Sequence, residues 1–206
     1  MITALFGGSF DPVHLGHVNA VKSLLESSLA PDRVIIMPAF VNPFKAGLDT
    51  ENRADCEDRL QMCILAFEKL PRCVVSDYEI KKKTPSYTAD TLEYLQKLYP
   101  EDKFILTVGS DSLATLPTWN RSGEIIAIAH IAAVSRSPEE SHRIEGYAEN
   151  VRALGGKVTI IETEPFEISS TEIRKKIVNS KDISCYVDKN VVQYIMSKSI
   201  YKQGDR

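Results

Sequence analysis

Two histidines stand three residues apart near the start of the chain, and their surroundings favour phosphate chemistry. His14 and His17 follow Gly7 and Gly8 within the stretch GGSFDPVHLGH, residues 7–17. A glycine pair removes the Cβ atoms that would keep an anion away from backbone N–H groups. The apolar residues that follow at helical spacing place both imidazoles at a helix N-terminus, which carries about half a positive charge and free N–H donors. The stretch therefore predicts a binding site for a phosphate chain.

Other interpretations of this stretch fit less well. Ser9, not Lys, follows the glycine pair, so the stretch is not a P-loop, and it does not match G-x-G-x-x-G either. Two histidines at this spacing could also bind zinc. The other two histidines, His130 and His142, lie in an apolar run and a polar stretch and offer no matching ligand spacing. We therefore predict no metal ligands from the protein, and a simple helix cap remains the plain alternative for either histidine.

A second cluster of hydroxyl and basic groups lies near the other end of the chain. Ser169, Ser170 and Thr171 precede apolar residues at helical spacing, which is typical of a capped helix N-terminus. Arg174 follows Thr171 by three residues, so its guanidinium can join these hydroxyls and the free N–H groups. A well-capped helix is the alternative. The pattern predicts a second anion site.

An α/β fold must position both clusters. Apolar strand-like runs alternate with helix-like runs along the chain, which is typical of a doubly wound parallel sheet. A chain of 206 residues is long enough for one sizeable core and short for two, so we predict a single domain over residues 1–206. The predicted strands are residues 2–6, 33–37, 73–76, 103–108, 131–134 and 157–161. Besides the helices that begin near the two clusters, the predicted helices are residues 53–70, 89–99, 124–129, 141–154 and 188–197.

Several candidate residues follow the ends of predicted strands, the edge at which open α/β sheets bind ligands. Gly109 and Asp111 come directly after strand 103–108. Asp111 could cap the next helix or accept hydrogen bonds from ribose. Trp119, the only tryptophan, lies in a loop at this edge, where it could pack on the protein or stack on a flat heterocycle.

Two loops hold further candidates. Lys45 lies in the loop 39–50, and structureless loops of about twelve residues are uncommon unless they are functional. Lys45 could equally be a solvated charge. Lysines 81–83 are predicted on a solvated hairpin or loop, and Ser86 or Thr88 is the predicted N-cap of the helix that follows.

Composition excludes several classes of function. A net charge of −3 argues against a protein that works by neutralising a nucleic-acid backbone. The four cysteines show no C-x-x-C spacing, which indicates reduced thiols and a cytoplasmic protein. No apolar run approaches the length of a membrane span, and the chain opens directly into a predicted strand, so we expect no membrane association.

Taken together, these motifs resemble those of known enzymes. HLGH at 14–17 and ISSTEIR at 168–174 resemble the nucleotidyltransferases of the H-x-G-H type. The wider set, which adds PSYT at 85–88, GSD at 109–111 and LPTW at 116–119, resembles in order and spacing the bacterial nicotinate-nucleotide adenylyltransferase family. The resemblance implies a Rossmann-like fold and Mg²⁺. It also implies that ATP and nicotinate mononucleotide combine to give deamido-NAD and pyrophosphate, a step of NAD biosynthesis.

The resemblance implies a role for each matching residue. The residues it assigns to catalysis are His14, His17, Lys45 and Arg174. Those it assigns to ATP binding are Gly7, Gly8, Ser9, Gly109, Asp111, Ser170 and Thr171. Those it assigns to the pyridine ring are Thr88 and Trp119, and Arg136, which follows a predicted strand at the same edge, is a further candidate for the mononucleotide phosphate. One departure is Phe44, which stands where the family commonly has a histidine before the loop lysine, so that histidine's phosphate contact has no counterpart here.

Two alternative functions remain open at this point. Pantetheine-phosphate adenylyltransferases belong to the same superfamily, but their chains are usually shorter, and the motifs at residues 86–88 and Trp119 argue against that substrate. A non-catalytic nucleotide-binding sensor would keep the glycine turns but would have no reason to retain both histidines and Arg174. A homo-oligomer is compatible with the sequence, because a helical face that packs on a partner looks like one that packs on the core.

Overall fold

A computed structural model describes residues 1–41, 53–136 and 138–201. Lys45 and Phe44 lie outside the described residues. The strands are β1 (Ile2–Gly8), β2 (Arg33–Pro38), β3 (Cys73–Val75), β4 (Lys103–Gly109), β5 (Ala129–Ser135) and β6 (Val158–Glu162). They form one sheet in the order β3-β2-β1-β4-β5-β6, and all neighbouring strands are parallel. This order and direction confirm the predicted α/β, Rossmann-like fold.

Helices connect these strands. In the described part of the chain they are α1 (Leu15–Glu26), α2 (Cys56–Phe67), α3 (Tyr78–Lys82), α4 (Thr88–Leu98), α5 (Ser110–Thr115), α6 (Ser122–Ile128), α7 (Pro138–Ala153), α8 (Ser170–Val178) and α9 (Lys189–Ser197). A 3₁₀ helix, Leu116–Thr118, follows α5. None of the described helices combines the length and the apolar character that crossing a membrane requires.

Both faces of the sheet are buried, as the continuous apolar strands predict. Alternate residues of β1 point to opposite faces. Ala4 and Phe6 pack with apolar residues of α1, α2, α8 and α9, whereas Leu5 packs with those of α4, α6 and α7. The sheet is therefore wound with helices on both sides, which explains why its strands carry few polar residues.

The centre of the sheet holds its topological switch point. β1 lies between β2 and β4, and the chain leaves β1 through α1 toward β2, away from β4. Connections from the two central strands thus diverge, and a crevice opens at their carboxyl ends. Gly7 and Gly8 end β1, and Gly109 ends β4. The fold therefore brings both predicted glycine turns to one crevice.

The prediction that lysines 81–83 lie on a hairpin or loop is wrong. Lys81 and Lys82 belong to α3, which ends where Lys83 takes the left-handed conformation at φ 54°. Ile80, on the opposite face, is buried, and Tyr78 stacks on Tyr94 with ring centroids 3.6 Å apart. The packing of Tyr78 and Ile80 stabilises this single helical turn, and its two lysines are exposed.

The predicted cap of α4 is also wrong. The N-cap is Tyr87, and Thr88 is the first helical residue, with no side-chain hydrogen bond at the cap. The Ser86 hydroxyl instead accepts a hydrogen bond from the backbone N–H of Phe40 at 3.1 Å. The hydroxyl that local spacing assigned to the cap is therefore bonded to a backbone group 46 residues away in the chain.

Other boundaries differ from the predictions by a few residues. α7 begins at residue 138 rather than 141, and α2 covers 56–67 rather than 53–70. α6 and β5 each begin two residues earlier than predicted, at Ser122 and Ala129. Such shifts are expected, because apolar periodicity locates an element while caps and distant contacts set its ends.

Candidate active site

A cavity of about 690 Å³ opens at the carboxyl edge of β1 and β4. This volume is typical of pockets that enclose small ligands. Every described residue that the sequence predicted for the site lines this cavity: Gly7, Gly8, Ser9, His14, His17, Thr88, Gly109, Asp111, Trp119, Arg136, Ser170, Thr171 and Arg174. Residues from five predicted motifs thus meet in one place.

The two histidines are joined at the start of α1. His14 is the N-cap residue, and its backbone N–H donates to Nδ1 of His17 at 3.2 Å. The two rings lie face to face, with centroids 3.7 Å apart and planes tilted by 31°. Because Nδ1 of His17 accepts this bond, the neutral imidazole carries its proton on Nε2. His17 is therefore held as an Nε2–H donor.

His14 is held in its neutral form. Its side chain is buried, and burial, followed by the positive charge of Arg136, lowers its pKa to about 3. Phe166 stacks on the imidazole at a centroid distance of 5.1 Å with the rings 12° from parallel. His14 thus packs against the rings of both Phe166 and His17, and only 3% of its surface is exposed to water.

The glycine between the two histidines makes this stack possible. A Cβ atom built on Gly16 would lie 2.5 Å from Cδ1 of Phe166, closer than real Cβ contacts. The residue must therefore lack a side chain if the Phe166 ring is to reach His14. The glycine in the HLGH motif is explained by packing against a ring about 150 residues further along the chain, a separation that local spacing does not reveal.

Three buried polar atoms of the cavity wall have no hydrogen-bond partner among the described residues. They are Oγ of Ser9, Nδ1 of His14 and Oγ1 of Thr107. Buried polar atoms in folded proteins are nearly always hydrogen-bonded, and an exception in a cavity indicates a ligand that would complete the bonding. Two of the three atoms belong to residues that the sequence predicted to hold phosphates.

The two anion sites that the sequence predicted separately form one site. The hydroxyl of Ser170, at the first turn of α8, donates to the carbonyl of Pro12 at 3.0 Å. Arg174 Nη1 donates to the backbone carbonyl of Asp11 at 2.8 Å, and its Nη2 lies 3.4 Å from Oγ1 of Thr171. The positive end of α8 is thus fastened directly to the turn after β1. A polyphosphate bound at the glycine turn would lie within reach of both helix N-termini.

Arg174 is nearly buried, which the sequence did not predict. Only 8% of its surface is exposed, and its guanidinium lies 3.8 Å from the Asp11 carboxylate. The Nη1 end of the guanidinium therefore bonds to Asp11 of the protein itself. This anchoring fixes the direction of the rest of the planar guanidinium.

The cavity wall also includes the residues predicted for the pyridine mononucleotide. Trp119 follows the 3₁₀ helix, and its indole N–H donates to Oγ1 of Thr115 at 3.1 Å, which fixes the ring orientation. Thr88 begins α4, where no side chain caps the free N–H groups. The backbone N–H of Arg136 donates to a carboxylate oxygen of Glu140 at 2.6 Å. The cavity wall thus includes an aromatic plane, a helix N-terminus and a guanidinium.

Asp111 is available for a ligand. Of the two roles open from the sequence, capping is not observed, because Gly109 occupies the cap of α5 without a side-chain hydrogen bond. Asp111 lies in the first turn and lines the cavity.

Sequence reasoning missed several residues of the cavity wall. Glu79 is buried beside Ser86 and accepts a hydrogen bond from the Thr91 hydroxyl at 2.6 Å. Its burial raises the pKa of this carboxyl, which shifts it toward the neutral form. Glu140 accepts a hydrogen bond from the Ser110 hydroxyl and so links the start of α5 to α7. Both are single acidic residues within helices, so no local motif could have distinguished them from solvated charges.

The described residues contain no group of three or more His, Cys, Asp or Glu side chains that could hold a metal ion.

Fold and site together define a class of enzyme. The cytidylyltransferase-like family model matches residues 5–176. This chain is therefore a nucleotidyltransferase of the cytidylyltransferase-like family.

Comparison with individual proteins narrows the assignment. A probable nicotinate-nucleotide adenylyltransferase from Caldicellulosiruptor bescii is 35% identical over 207 residues, which cover 98% of this chain and 100% of that protein. One from Roseiflexus is also 35% identical and covers 96% of each chain. The chain belongs to the nicotinate-nucleotide adenylyltransferase family. The fold agrees, since a nicotinic acid mononucleotide adenylyltransferase from Plasmodium falciparum, 17% identical, superposes with a TM-score of 0.74 over 97% of this chain and 96% of that one.

Proposed function

We propose that this protein transfers the adenylyl group of ATP to nicotinate mononucleotide, giving deamido-NAD and pyrophosphate in NAD biosynthesis. Full-length similarity to relatives of that name supports the substrates. The observation that carries the proposal is the union of the α1 and α8 N-termini at one glycine turn, with an imidazole donor and a guanidinium beside it.

The reaction needs no nucleophilic side chain. A phosphate oxygen of the mononucleotide, already ionised at neutral pH, attacks the α-phosphorus of ATP. The bond from this phosphorus to the bridging oxygen breaks, and pyrophosphate leaves with the electron pair. Catalysis then consists of orienting two anions and neutralising the charge that grows on the leaving group. Orientation alone can supply about 7–11 kcal/mol of the barrier reduction.

The phosphate end of the cavity supplies the electrostatic part. His17, as an Nε2–H donor, would bind the α-phosphate, where charge redistributes in the transition state. Neutral His14, Ser9 and Thr171 would bind phosphate oxygens, which gives the orphaned atoms of Ser9 and His14 their partners. Arg174, held from behind by Asp11, would contact the leaving pyrophosphate. Lys45 is proposed for the same phosphates on its sequence position alone.

The remaining residues would hold the two nucleosides. The glycines at the ends of β1 and β4 would let ATP approach the backbone; at Gly109 nothing lies within 4 Å of the position of a Cβ atom. Asp111 would accept hydrogen bonds from ribose hydroxyls. Trp119 would stack on the pyridine ring, Thr88 would bind the ring carboxylate at the start of α4, and Arg136 would bind the mononucleotide phosphate.

Mg²⁺ fits this site as a companion of ATP. With no three-ligand cluster among the described side chains, the ion would be held by phosphate oxygens and water, a mode that Mg²⁺ favours. When bound, it would offset the charge of the β- and γ-phosphates. Asp111, one of the carboxylates that line the cavity, would support it. A cytoplasmic location and self-association remain predictions.

The decisive experiment measures pyrophosphate release by the purified protein with ATP and nicotinate mononucleotide. Turnover that requires both substrates and yields deamido-NAD supports the proposal. Turnover with pantetheine phosphate instead would identify the other adenylyltransferase. ATP binding without turnover on either acceptor would identify a nucleotide sensor.

A further inference from the structure

The last described residue, Tyr201, reaches into the centre of the molecule. It is 4% exposed, and its hydroxyl donates to Oδ1 of Asp11 at 2.7 Å, a bond between residues 190 positions apart. Burial, together with the Asp11 carboxylate, raises the pKa of the Tyr201 phenol well above its ordinary value, so the hydroxyl remains protonated and donates. The bond is therefore a fixed link between the end of the described chain and the turn after β1.

Asp11 in turn contacts three separate parts of the chain. Oδ1 also accepts the backbone N–H of Ala54 at 3.1 Å, in the segment just before α2. The Asp11 carbonyl accepts Nη1 of Arg174 at 2.8 Å, and Oδ2 lies 3.8 Å from the same nitrogen. Asp11 lines the cavity three residues before His14. Arg174 is therefore hydrogen-bonded to the Asp11 backbone, and the nearby Asp11 carboxylate is placed to influence the direction of its guanidinium.

The backbone at both ends of the Tyr201–Asp11 bond is in an uncommon conformation. Phe10, directly before Asp11, has φ 47°, and Tyr201 has φ 67°. Both values lie in the left-handed region, which residues other than glycine, Asn and Asp rarely adopt. Such conformations persist only where the surrounding structure requires them, and they concentrate at functional sites.

We propose that Tyr201 is a positioning residue for adenylyl transfer, which acts through Asp11 to keep the Arg174 guanidinium directed at the leaving pyrophosphate. Two donors, Tyr201 and Ala54, hold Oδ1, while Oδ2 lies 3.8 Å from Arg174 Nη1, an ion pair without a direct hydrogen bond. Without the Tyr201 hydroxyl, the Ala54 N–H alone holds Oδ1, so the carboxylate can rotate and bring Oδ2 closer to Arg174. A direct hydrogen bond between the carboxylate and the guanidinium would then draw the guanidinium away from the cavity. The inference rests on the proposed function, because it takes pyrophosphate as the group that Arg174 binds.

The test compares Tyr201→Phe with Tyr194→Phe. Tyr194 makes a similar bond, from its hydroxyl to Oδ1 of Asp58 at 2.8 Å, and neither residue lines the cavity. Each variant loses one Tyr–Asp hydrogen bond, so a general loss of stability affects both. Unfolding temperatures are measured first, and kinetics are recorded well below the lower one.

We expect Tyr201→Phe to lower kcat/KM for ATP about tenfold while KM for nicotinate mononucleotide stays within twofold of wild type. Tyr194→Phe should match wild type in both constants. Inorganic pyrophosphate binding, measured by calorimetry without turnover, should weaken about tenfold in Tyr201→Phe only. If Tyr201 were purely structural, its replacement would change neither kcat/KM for ATP nor pyrophosphate binding. Equal behaviour of the two variants in these measurements would overturn the proposal.

The calorimetric arm separates this inference from the proposed function. If wild type releases no pyrophosphate from ATP and nicotinate mononucleotide, the function is wrong. Weaker pyrophosphate binding by Tyr201→Phe alone would still support the role of Tyr201 in setting Arg174. Unchanged binding in an active enzyme would overturn that role and leave the function standing.

Discussion

The backbone N–H of His14 donates to Nδ1 of His17 across 3.2 Å, and this bond fixes which nitrogen of His17 carries the proton. The N-terminus of α1 thus supplies a pre-oriented Nε2–H donor as well as its free backbone groups. A donor held in place before the substrate arrives costs no reorganisation when charge develops, which is the condition for strong electrostatic catalysis.

We expect His17→Ala to lower kcat by about 10²–10³-fold, by analogy with the removal of one oxyanion donor. KM for ATP should change far less, because the donor acts mainly in the transition state. His142→Ala, at an exposed position on α7, is the matched control and should keep wild-type kinetics. Near-normal kcat with a raised KM in the His17 variant would show that the imidazole only binds ATP.

Folding stability should depend on pH through His14. The folded pKa of about 3 lies below the unfolded value of about 6.5, so between these values the unfolded chain binds a proton that the folded one does not. Stability is therefore lost as the pH falls, by about 1.4 kcal/mol per pH unit within that window. The His14→Gln variant lacks this proton, so its free energy of unfolding should fall less steeply from pH 6 to pH 4 in urea titrations. Parallel curves for both proteins would contradict a neutral, buried His14.

Gly16→Ala should damage the site through packing. The new methyl group would lie 2.5 Å from Phe166, so the ring must leave the His14 face. We expect a loss of about 1–3 kcal/mol of stability, as for other overpacked positions, and a clear loss of activity. Gly146→Ala on α7 is the control, because nothing lies within 4 Å of its Cβ position and helical alanine is favoured over glycine by about 0.5–1 kcal/mol. A Gly16→Ala protein with full stability would show that Phe166 moves at no cost.

The enzyme should prefer nicotinate mononucleotide to its amide. A carboxylate only accepts hydrogen bonds and suits the uncapped start of α4, whereas the amide must present an NH₂ group or leave a donor unpaired, at about 1–3 kcal/mol. The ratio of kcat/KM for the two substrates should be at least about tenfold to a hundredfold. Thr88→Val should reduce the ratio, and Thr88→Ser, which keeps a hydroxyl, should retain it. Equal kcat/KM values in wild type would exclude acid selectivity, and an unchanged ratio in Thr88→Val would place its source in the backbone donors.

The sequence could predict those structural features that are determined by residues close together in the chain. The glycine turns, the two histidines and the alternation of apolar runs are signals within about twenty residues, and the structure confirms the fold that they predict. The roles of the site residues remain predictions, although the described ones line one cavity.

Features that depend on distant partners were missed or misplaced. The contact between Ser170 and Pro12 joins the two predicted anion sites, yet no spacing rule connects residues 158 positions apart. Ser86 does not cap α4 as predicted, because its hydroxyl bonds to the backbone of Phe40. The bond from Tyr201 to Asp11 could not be predicted, because a buried tyrosine looks the same in sequence as a surface tyrosine. Each error arose where tertiary contact overrode local preference.

The joining of α8 to the turn after β1 has a consequence for synthesis. A chain growing from its N-terminus presents the glycine turn and both histidines at once. Ser170 and Arg174, which complete the cavity wall, and Tyr201, which contacts Asp11, emerge only after the six described strands have been made. Before that point the half-built crevice lacks its second helix dipole and its guanidinium. We therefore expect nucleotide to stabilise the protein only once the final helices have docked, and not during the early stages of folding on the ribosome.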